Sequence, residues 1–260
     1  VERPVQGKIG KAGDDTGRLD FRHKDDANDD DRTQREDHKP PTPDSSGSGQ
    51  RPPKEQTIRR GMNFRKKINI LPYGILGGGI TPRGLDNTLG SLPPADTTIV
   101  DPAGATFIQH GPGPARGASG AIYEWADIHE FSDELKANLT SITTAYEQVY
   151  TTRNTDFTQQ QTRIIHALGP DLRLFDHDRA SAEQHLATTY KSILDIFANS
   201  DQLVLRCLPL SGGTFRGTFG EVFADMTMTT MQRGFRMLNN DSKEKLLNKT
   251  RVDICIHHFG

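Results

Sequence analysis

Two glycine-rich loops in this sequence could hold phosphate. Each follows a short apolar segment and leads into a segment with helical character, the first over His110 to Ile122 and the second over Leu208 to Phe215. Glycine lets the backbone come close to an anion, and successive N–H groups and the positive end of a helix dipole favour negative charge. Two such loops could hold the two phosphates of a diphosphate, so the pattern predicts a nucleotide-like ligand.

The candidate ligand-binding residues are the glycines of these loops and their neighbours. The first loop contributes Gly111, Gly113, Arg116, Gly117, Gly120, Ala121 and Ile122, and the second contributes Ser211, Gly212, Gly213, Thr214 and Phe215. Pro112 and Pro114 have no N–H to give to phosphate. The Arg116 guanidinium could replace them, or it could simply be solvated. A dinucleotide fingerprint is disfavoured, because the glycine spacing departs from Gly-x-Gly-x-x-Gly.

Composition divides the chain of 260 residues at about residue 60. Residues 1–60 hold eight apolar and 26 charged side chains, which predicts a disordered charged tail, followed by one domain over residues 61–260. The formal net charge of −2 does not suggest a general polyanion binder. Arg59, Arg60 and Arg65–Lys67 form a basic cluster that could bind nucleic acid or direct nuclear import, but that we interpret as solvated charges before a first strand. Nucleic acid is therefore not an expected partner.

The sequence also indicates a compartment. No apolar run approaches the roughly 20 residues of a membrane helix, and the start of the sequence is polar rather than signal-like. Cys207 and Cys255 lie in apolar, strand-like runs, which predicts buried reduced thiols rather than a disulfide or a metal site. We expect a cytoplasmic or nuclear monomer that uses no membrane, metal or cofactor.

Strand-like and helix-like segments alternate along the second part, which is typical of a layered α/β domain. The predicted strands cover residues 67–76, 97–100, 162–168, 203–208 and 251–257, and the predicted helices cover 119–128, 132–153, 181–197 and 219–238. Pro72 indicates an edge position or a break for the first strand. Ser181 and Gln184 fit a capping box, and Ser119 is expected to cap its helix. His166 is expected in a core strand.

Four blocks of this sequence, in order, resemble the macro domain family. They are Leu85-Asp86-Asn87-Thr88, Ile99–Gly104 with Gly111–Ile122, Ile164–Pro170, and Leu208–Phe215. The resemblance implies a three-layer α/β/α sandwich around a central mixed sheet, and ADP-ribose as ligand. It also implies that Asp86 accepts from the exocyclic amine of adenine. A loop-capping role explains Asp86 about as well, and Asp96 is the competing candidate.

The resemblance leaves three functions open. The first is a reader that binds ADP-ribose or an ADP-ribosylated protein. The second is hydrolysis of ADP-ribose from modified proteins, for which Asp101 is the weak catalytic candidate. Gly104 argues against hydrolysis, because it stands where hydrolytic members carry an asparagine. The third is an interaction domain that has lost its ligand, as the two prolines of the first loop suggest.

Overall fold

The computed structural model describes residues 63–81, 84–86, 90–153, 158–175, 178–249 and 251–256. The predicted tail over residues 1–60 lies outside these ranges, so its disorder stays a prediction. None of the helices within the described ranges is both long and apolar enough to cross a bilayer.

A six-stranded sheet forms the centre of the domain. Its strands are β1 (Ile68–Leu71), β4 (Thr97–Asp101), β5 (Ala145–Arg153), β6 (Gln159–Ala167), β7 (Val204–Cys207) and β8 (Arg251–Cys255), in the order β1-β8-β7-β4-β6-β5. Neighbouring strands are parallel except β5, which runs antiparallel to β6. The edge position predicted for the first strand from Pro72 is confirmed. A separate hairpin joins β2 (Gly79–Thr81) to β3 (Gly84–Asp86).

Helices cover both faces of the sheet. They are α1 (Ala105–His110), α2 (Gly117–Trp125), α3 (Asp133–Asn138), α4 (Arg179–Asn199), α5 (Phe223–Met237) and α6 (Asn240–Asn248), with 3-10 helices at Phe64–Lys67, Leu172–Phe175 and Thr214–Val222. Strand side chains alternate between faces. Ile99 and Ile164 therefore pack with α1–α3, and Val100 and Ile165 pack with α4–α6. The predicted three-layer α/β/α sandwich with a central mixed sheet is confirmed.

The predicted long helix over residues 132–153 is wrong. Its first part is the short helix α3, and its second part is the nine-residue strand β5. Tyr146, Val149 and Tyr150 are aromatic or β-branched, which suits a pleated surface better than a helix. Pairing with β6 along the whole length of β5 outweighs any local helical pattern.

Two predicted helix caps also differ in the structure. Helix α4 begins earlier than the predicted capping box, because the Asp178 side chain accepts a hydrogen bond from the Ser181 N–H. Helix α2 begins at Gly117, so Ser119 lies inside its first turn instead of at its cap. The Ser119 hydroxyl donates to the Pro102 carbonyl at 3.3 Å and thereby ties α2 to the end of β4.

Cys207 and Cys255 are both buried free thiols, as the sequence predicts. Burial raises the pKa of both, that of Cys255 to about 12. An unfolded thiol titrates near 8.5, so the folded state keeps these protons to higher pH than the unfolded state. The stability that the thiols contribute is therefore complete below about pH 8.5 and declines as the pH rises.

We expect the free energy of unfolding in urea to fall between pH 8.5 and 10, with a slope that approaches about 1.4 kcal/mol per pH unit for each thiol. The Cys207→Ala/Cys255→Ala double variant serves as the control, and its slope should be shallower. An equal slope in parent and double variant would contradict this account.

Candidate functional site

The order of the strands creates room at the carboxyl edge of the sheet. Strand β4 leads into α1 on one face, whereas its neighbours β6 and β7 lead into helices on the other face. Adjacent parallel strands whose connections leave to opposite faces form a crevice outside their carboxyl ends, where α/β proteins bind ligands. Both predicted glycine loops meet this edge, since one follows β4 through α1 and the other follows β7 directly.

Side-chain hydrogen bonds tie the segments of this edge together. Ser119 joins the first turn of α2 to Pro102, and the Ser211 hydroxyl donates to the Pro170 carbonyl at 2.6 Å. Ser211 has a φ of 61°, a left-handed conformation that costs energy in a residue other than glycine. Residues 102–104, 111–117, 169–173 and 209–217 together are called the carboxyl-edge site below.

Three helices that begin at the carboxyl-edge site lack side-chain caps, whereas Asp171 caps the 3-10 helix at Leu172–Phe175 by accepting from the Arg173 N–H at 3.1 Å. Residues Gly104, Arg116 and Gly213 precede α1, α2 and the 3-10 helix at Thr214–Val222, and none of them makes a capping hydrogen bond through its side chain. Away from this site, Ser132, Asp178 and Asn239 each cap a helix through the side chain. The first N–H groups of a helix have no partner within the helix, so an anion could accept from those at this site.

Several glycines of the site face open space. A Cβ atom added at Gly111, Gly113, Gly117 or Gly213 would meet no other atom within 4 Å. Gly111 and Gly117 also have φ values of 105° and 62°, which favour glycine on conformational grounds. Close to the backbone of both loops there is therefore space that a ligand could occupy.

Two other predicted glycines serve packing. A Cβ at Gly212 would lie 2.8 Å from the Phe223 ring and 3.0 Å from the Pro209 carbonyl oxygen. A Cβ at Gly120 would lie 2.8 Å from the Ala115 carbonyl oxygen. The chain itself fills the space beside these two glycines, so their Cα atoms do not border a ligand space.

The remaining predicted residues of the loops are placed as follows. The Arg116 guanidinium donates to the Ala115 carbonyl at 2.8 Å, and therefore folds back onto its own loop. The Ile122 side chain is completely buried in the core, and the neighbouring Ala121 is half-buried on α2. Thr214 opens the 3-10 helix and is exposed. The exposed ring of Phe215 packs under the Arg173 guanidinium, 5.2 Å from its centre, at the rim of the site.

The two candidates for an adenine-binding carboxylate lie in different elements of the fold. Asp86 ends β3, where the structure describes the backbone alone. Asp96 precedes β4 at the opposite, amino edge of the sheet, where its carbonyl accepts from the N–H groups of Leu203 and Val204. Asp96 is therefore remote from the carboxyl-edge site, and Asp86 remains the candidate.

A buried polar chain includes Asp101, the weak catalytic candidate. Asp101 Oδ2 accepts from the Tyr123 hydroxyl at 2.6 Å and lies 2.8 Å from His166 Nδ1, while His166 Nε2 lies 2.9 Å from the Tyr150 hydroxyl. Burial, aided by the Asp101 carboxylate, raises the pKa of Tyr123 and of Tyr150 above the usual phenol value. Both hydroxyls therefore keep their protons and can donate.

The sequence predicts His166 in a core strand, and this is confirmed. The sequence did not predict the hydrogen bonds that join His166 to Asp101 and Tyr150. Asp101 and His166 lie opposite each other on the neighbouring strands β4 and β6, and both have zero exposure. Their separation along the sequence does not predict the contact. A sequence signal is that each of the two polar residues directly follows a pair of apolar residues, Ile99-Val100 and Ile164-Ile165.

Arg206 is a second buried polar residue that the sequence analysis missed. It lies on β7 with 2% exposure and donates to the Ser91 carbonyl at 3.0 Å and to the Ile75 carbonyl at 3.5 Å. Its guanidinium also lies 5.7 Å from the centre of the Tyr73 ring. These contacts fix both ends of the segment that carries the β2–β3 hairpin and Asp86.

A shallow cavity of about 630 Å³ lies elsewhere, between the carboxyl end of α4 and the strands β5 and β6. Arg163 crosses it and pairs with Glu147 at 2.7 Å and with Asp201 at 3.1 Å. Its charges largely satisfy one another, so we assign it no ligand. Within the described residues, no group of three or more His, Cys, Asp or Glu side chains is arranged to hold a metal ion.

Comparison with known proteins gives structural likeness alone. No protein-family model matches the chain, and no curated protein matches it by sequence. Among solved structures, the Oceanobacillus iheyensis macrodomain with ADP is similar, at 17% identity over 63% of this chain and 77% of that chain, with a TM-score of 0.41. The Trypanosoma brucei macrodomain in complex with ADP-ribose is similar at 12% identity over 73% and 63%, with a TM-score of 0.41.

An alphavirus structure described as P23pro-zbd is also similar, at 20% identity over 61% of this chain, with a TM-score of 0.39. This chain spans 19% of that protein's length. All three similarities are distant and concern the fold alone.

Proposed function

We propose that this chain binds ADP-ribose at the carboxyl-edge site, as a reader of the free nucleotide or of ADP-ribosylated proteins. The observation that carries the proposal is the pair of uncapped helix starts at Arg116 and Gly213, each beside glycines that face open space. Two sets of free N–H groups suit the two phosphates of a diphosphate. The four sequence blocks that resemble macro domains support the same ligand.

Each part of the site has a proposed role. The first turn of α2 and the first turn of the 3-10 helix at Thr214–Val222 bind one phosphate each. Phe215, at the rim, packs against the ribose side of the ligand. Asp86 accepts from the adenine amine, and Arg206 fixes the segment that presents it. In this arrangement Arg116 stays on its own loop, so its side chain adds less to binding than the backbone does.

Hydrolysis is not part of the proposal. The Asp101 carboxylate is fully buried and already binds Tyr123 and His166, so it does not face a substrate water. Gly104 offers no side chain in its place. Release of ADP-ribose from a mono-ADP-ribosylated protein by the parent chain, but not by Asp101→Ala, would overturn this part.

Calorimetric titration of the full chain tests the proposed ligand. ADP-ribose and ADP should both bind, and adenosine, which has no phosphate, should bind at least about a hundredfold more weakly, because two charge-assisted contacts are lost. If neither ADP-ribose nor ADP gives a binding isotherm at millimolar concentration, the carboxyl-edge site does not bind this ligand. The interaction-domain alternative would then stand.

A further inference from the structure

The amino edge of the sheet, opposite the carboxyl-edge site, carries a strongly basic surface. The Phe64 ring stacks on the Phe235 ring with centres 4.3 Å apart, which joins the 3-10 helix at Phe64–Lys67 to the carboxyl end of α5. Phe64 is buried, while the following residues on each element, Arg65 and Arg236, are exposed. The stacked rings thus bring two basic segments together that are far apart in sequence.

Five cations belong to this surface, which we call the amino-edge basic surface. They are Arg65, Lys66, Lys67, Arg233 and Arg236. Among the residues that the structure describes, none of the five pairs with a carboxylate, and the Lys67 ammonium donates to the Lys249 carbonyl at 2.7 Å.

Two of the three acids in α6 and β8 have partners of their own, and the third, Glu244 of α6, is exposed. Asp241 of α6 pairs with Lys245 at 2.7 Å, and Asp253 of β8 pairs with Arg251 at 2.9 Å. They therefore do not neutralise the amino-edge basic surface. The formal net charge of −2 for the whole chain conceals this local excess of positive charge.

We propose that the amino-edge basic surface binds the phosphate backbone of nucleic acid. Three of its five cations are arginines, whose guanidinium binds phosphate through two parallel hydrogen bonds. The sequence places Arg59 and Arg60 shortly before it, which extends the basic run along the chain. The Phe64 ring is held inside the core and does not project toward a bilayer, while Met237, next to Arg236, is exposed.

This inference revises the expectation that nucleic acid is not a partner, and it does not depend on the proposed ADP-ribose site. The sequence showed a basic cluster at residues 59–67, but it did not show that the cations of α5 join it. Because the two sites lie at opposite edges of the sheet, each can fail without the other.

The test uses the full chain and a fluorescein-labelled oligouridine RNA of 20 nucleotides, with binding followed by fluorescence anisotropy. Oligouridine contains no adenine, so an adenine-specific crevice would not capture it. We expect the logarithm of the affinity to fall with the logarithm of the salt concentration with a slope of about −2 to −3, since each phosphate contact adds about 0.7. Saturating ADP-ribose should not displace the RNA.

Matched charge reversals locate the binding. Lys66→Glu/Arg236→Glu should weaken RNA binding at least about tenfold at low salt and flatten the salt slope. The control, Lys136→Glu/Arg153→Glu, makes the same change in net charge on α3 and β5 and should leave affinity within about twofold. Both substituted pairs are surface residues, and thermal unfolding of each variant should match the parent.

Equal loss of RNA binding in both variants, or no RNA binding by the parent chain at low salt, would overturn the proposal. Co-sedimentation with phosphatidylserine vesicles, lost in Lys66→Glu/Arg236→Glu while RNA does not bind, would assign the surface to lipid and also overturn it.

Discussion

Gly213→Val is expected to weaken ADP-ribose binding at least about a hundredfold. A Cβ at Gly213 would meet nothing within 4 Å, so the valine side chain would project into the space proposed for a phosphate. It would also shield the uncapped N–H groups of the 3-10 helix that follows. A hydrogen bond to a charged group contributes about 1.5–3 kcal/mol, so the loss of two exceeds the 2.8 kcal/mol or so of a hundredfold change.

Gly220→Val is the matched control for this substitution. A Cβ at Gly220 would meet only the Arg216 side chain, at an ordinary distance of 3.5 Å, so this variant should bind ADP-ribose as the parent does. Titration calorimetry measures both variants, and thermal unfolding shows that both are folded. Unchanged affinity in a folded Gly213→Val protein would remove the second loop from the site.

His166→Leu should lower the free energy of unfolding by about 3–5 kcal/mol. The substitution leaves the Asp101 carboxylate buried with Tyr123 as its remaining partner, and it removes the partner of the Tyr150 hydroxyl. Removing a hydrogen-bond partner from a buried carboxyl group is costly, because the group stays out of water with one contact fewer. Equilibrium unfolding in urea measures the change.

Two further variants distinguish the loss of the Asp101 contact from the general effect of replacing a histidine. His185 binds the Ser181 carbonyl on the half-exposed face of α4, and His185→Leu should cost less than about 1 kcal/mol. Adding Asp101→Leu to His166→Leu removes the buried carboxyl group that lost its partner and should recover part of the loss. If His166→Leu were as stable as His185→Leu, the buried hydrogen bonds of His166 would not contribute to the stability of the fold.

Periodicity and glycine placement predicted most of the architecture. Strands β4 and β7 are short, each contains two adjacent apolar residues, and a glycine follows each within five residues; these properties are local to the sequence. Strand β5 was missed because its pattern of apolar residues over 132–153 also fits a helix. Only its pairing with β6, through contacts that no local pattern encodes, determines its conformation.

The candidate site was predictable in its loops and not in its supporting contacts. Gly113 and Gly213 stand where the sequence indicates a close approach of the backbone, and the structure leaves open space beside both. Gly212 looked equivalent in sequence, yet the Phe223 ring occupies its neighbourhood. The Asp101–His166 contact and the Arg206 contacts join distant segments, so neither could be deduced from spacing.

Backbone amide resonances of the ¹⁵N-labelled chain, followed while ADP-ribose is added, test the central claim most directly. The account predicts saturable shifts at Gly117 and Gly213, whose N–H groups lie at the uncapped helix starts, and at Gly113 in the loop before α2. It predicts none at Gly220 or in α6. Shifts confined to other surfaces, or no shift at millimolar ADP-ribose, would contradict a diphosphate site at the carboxyl edge of the sheet.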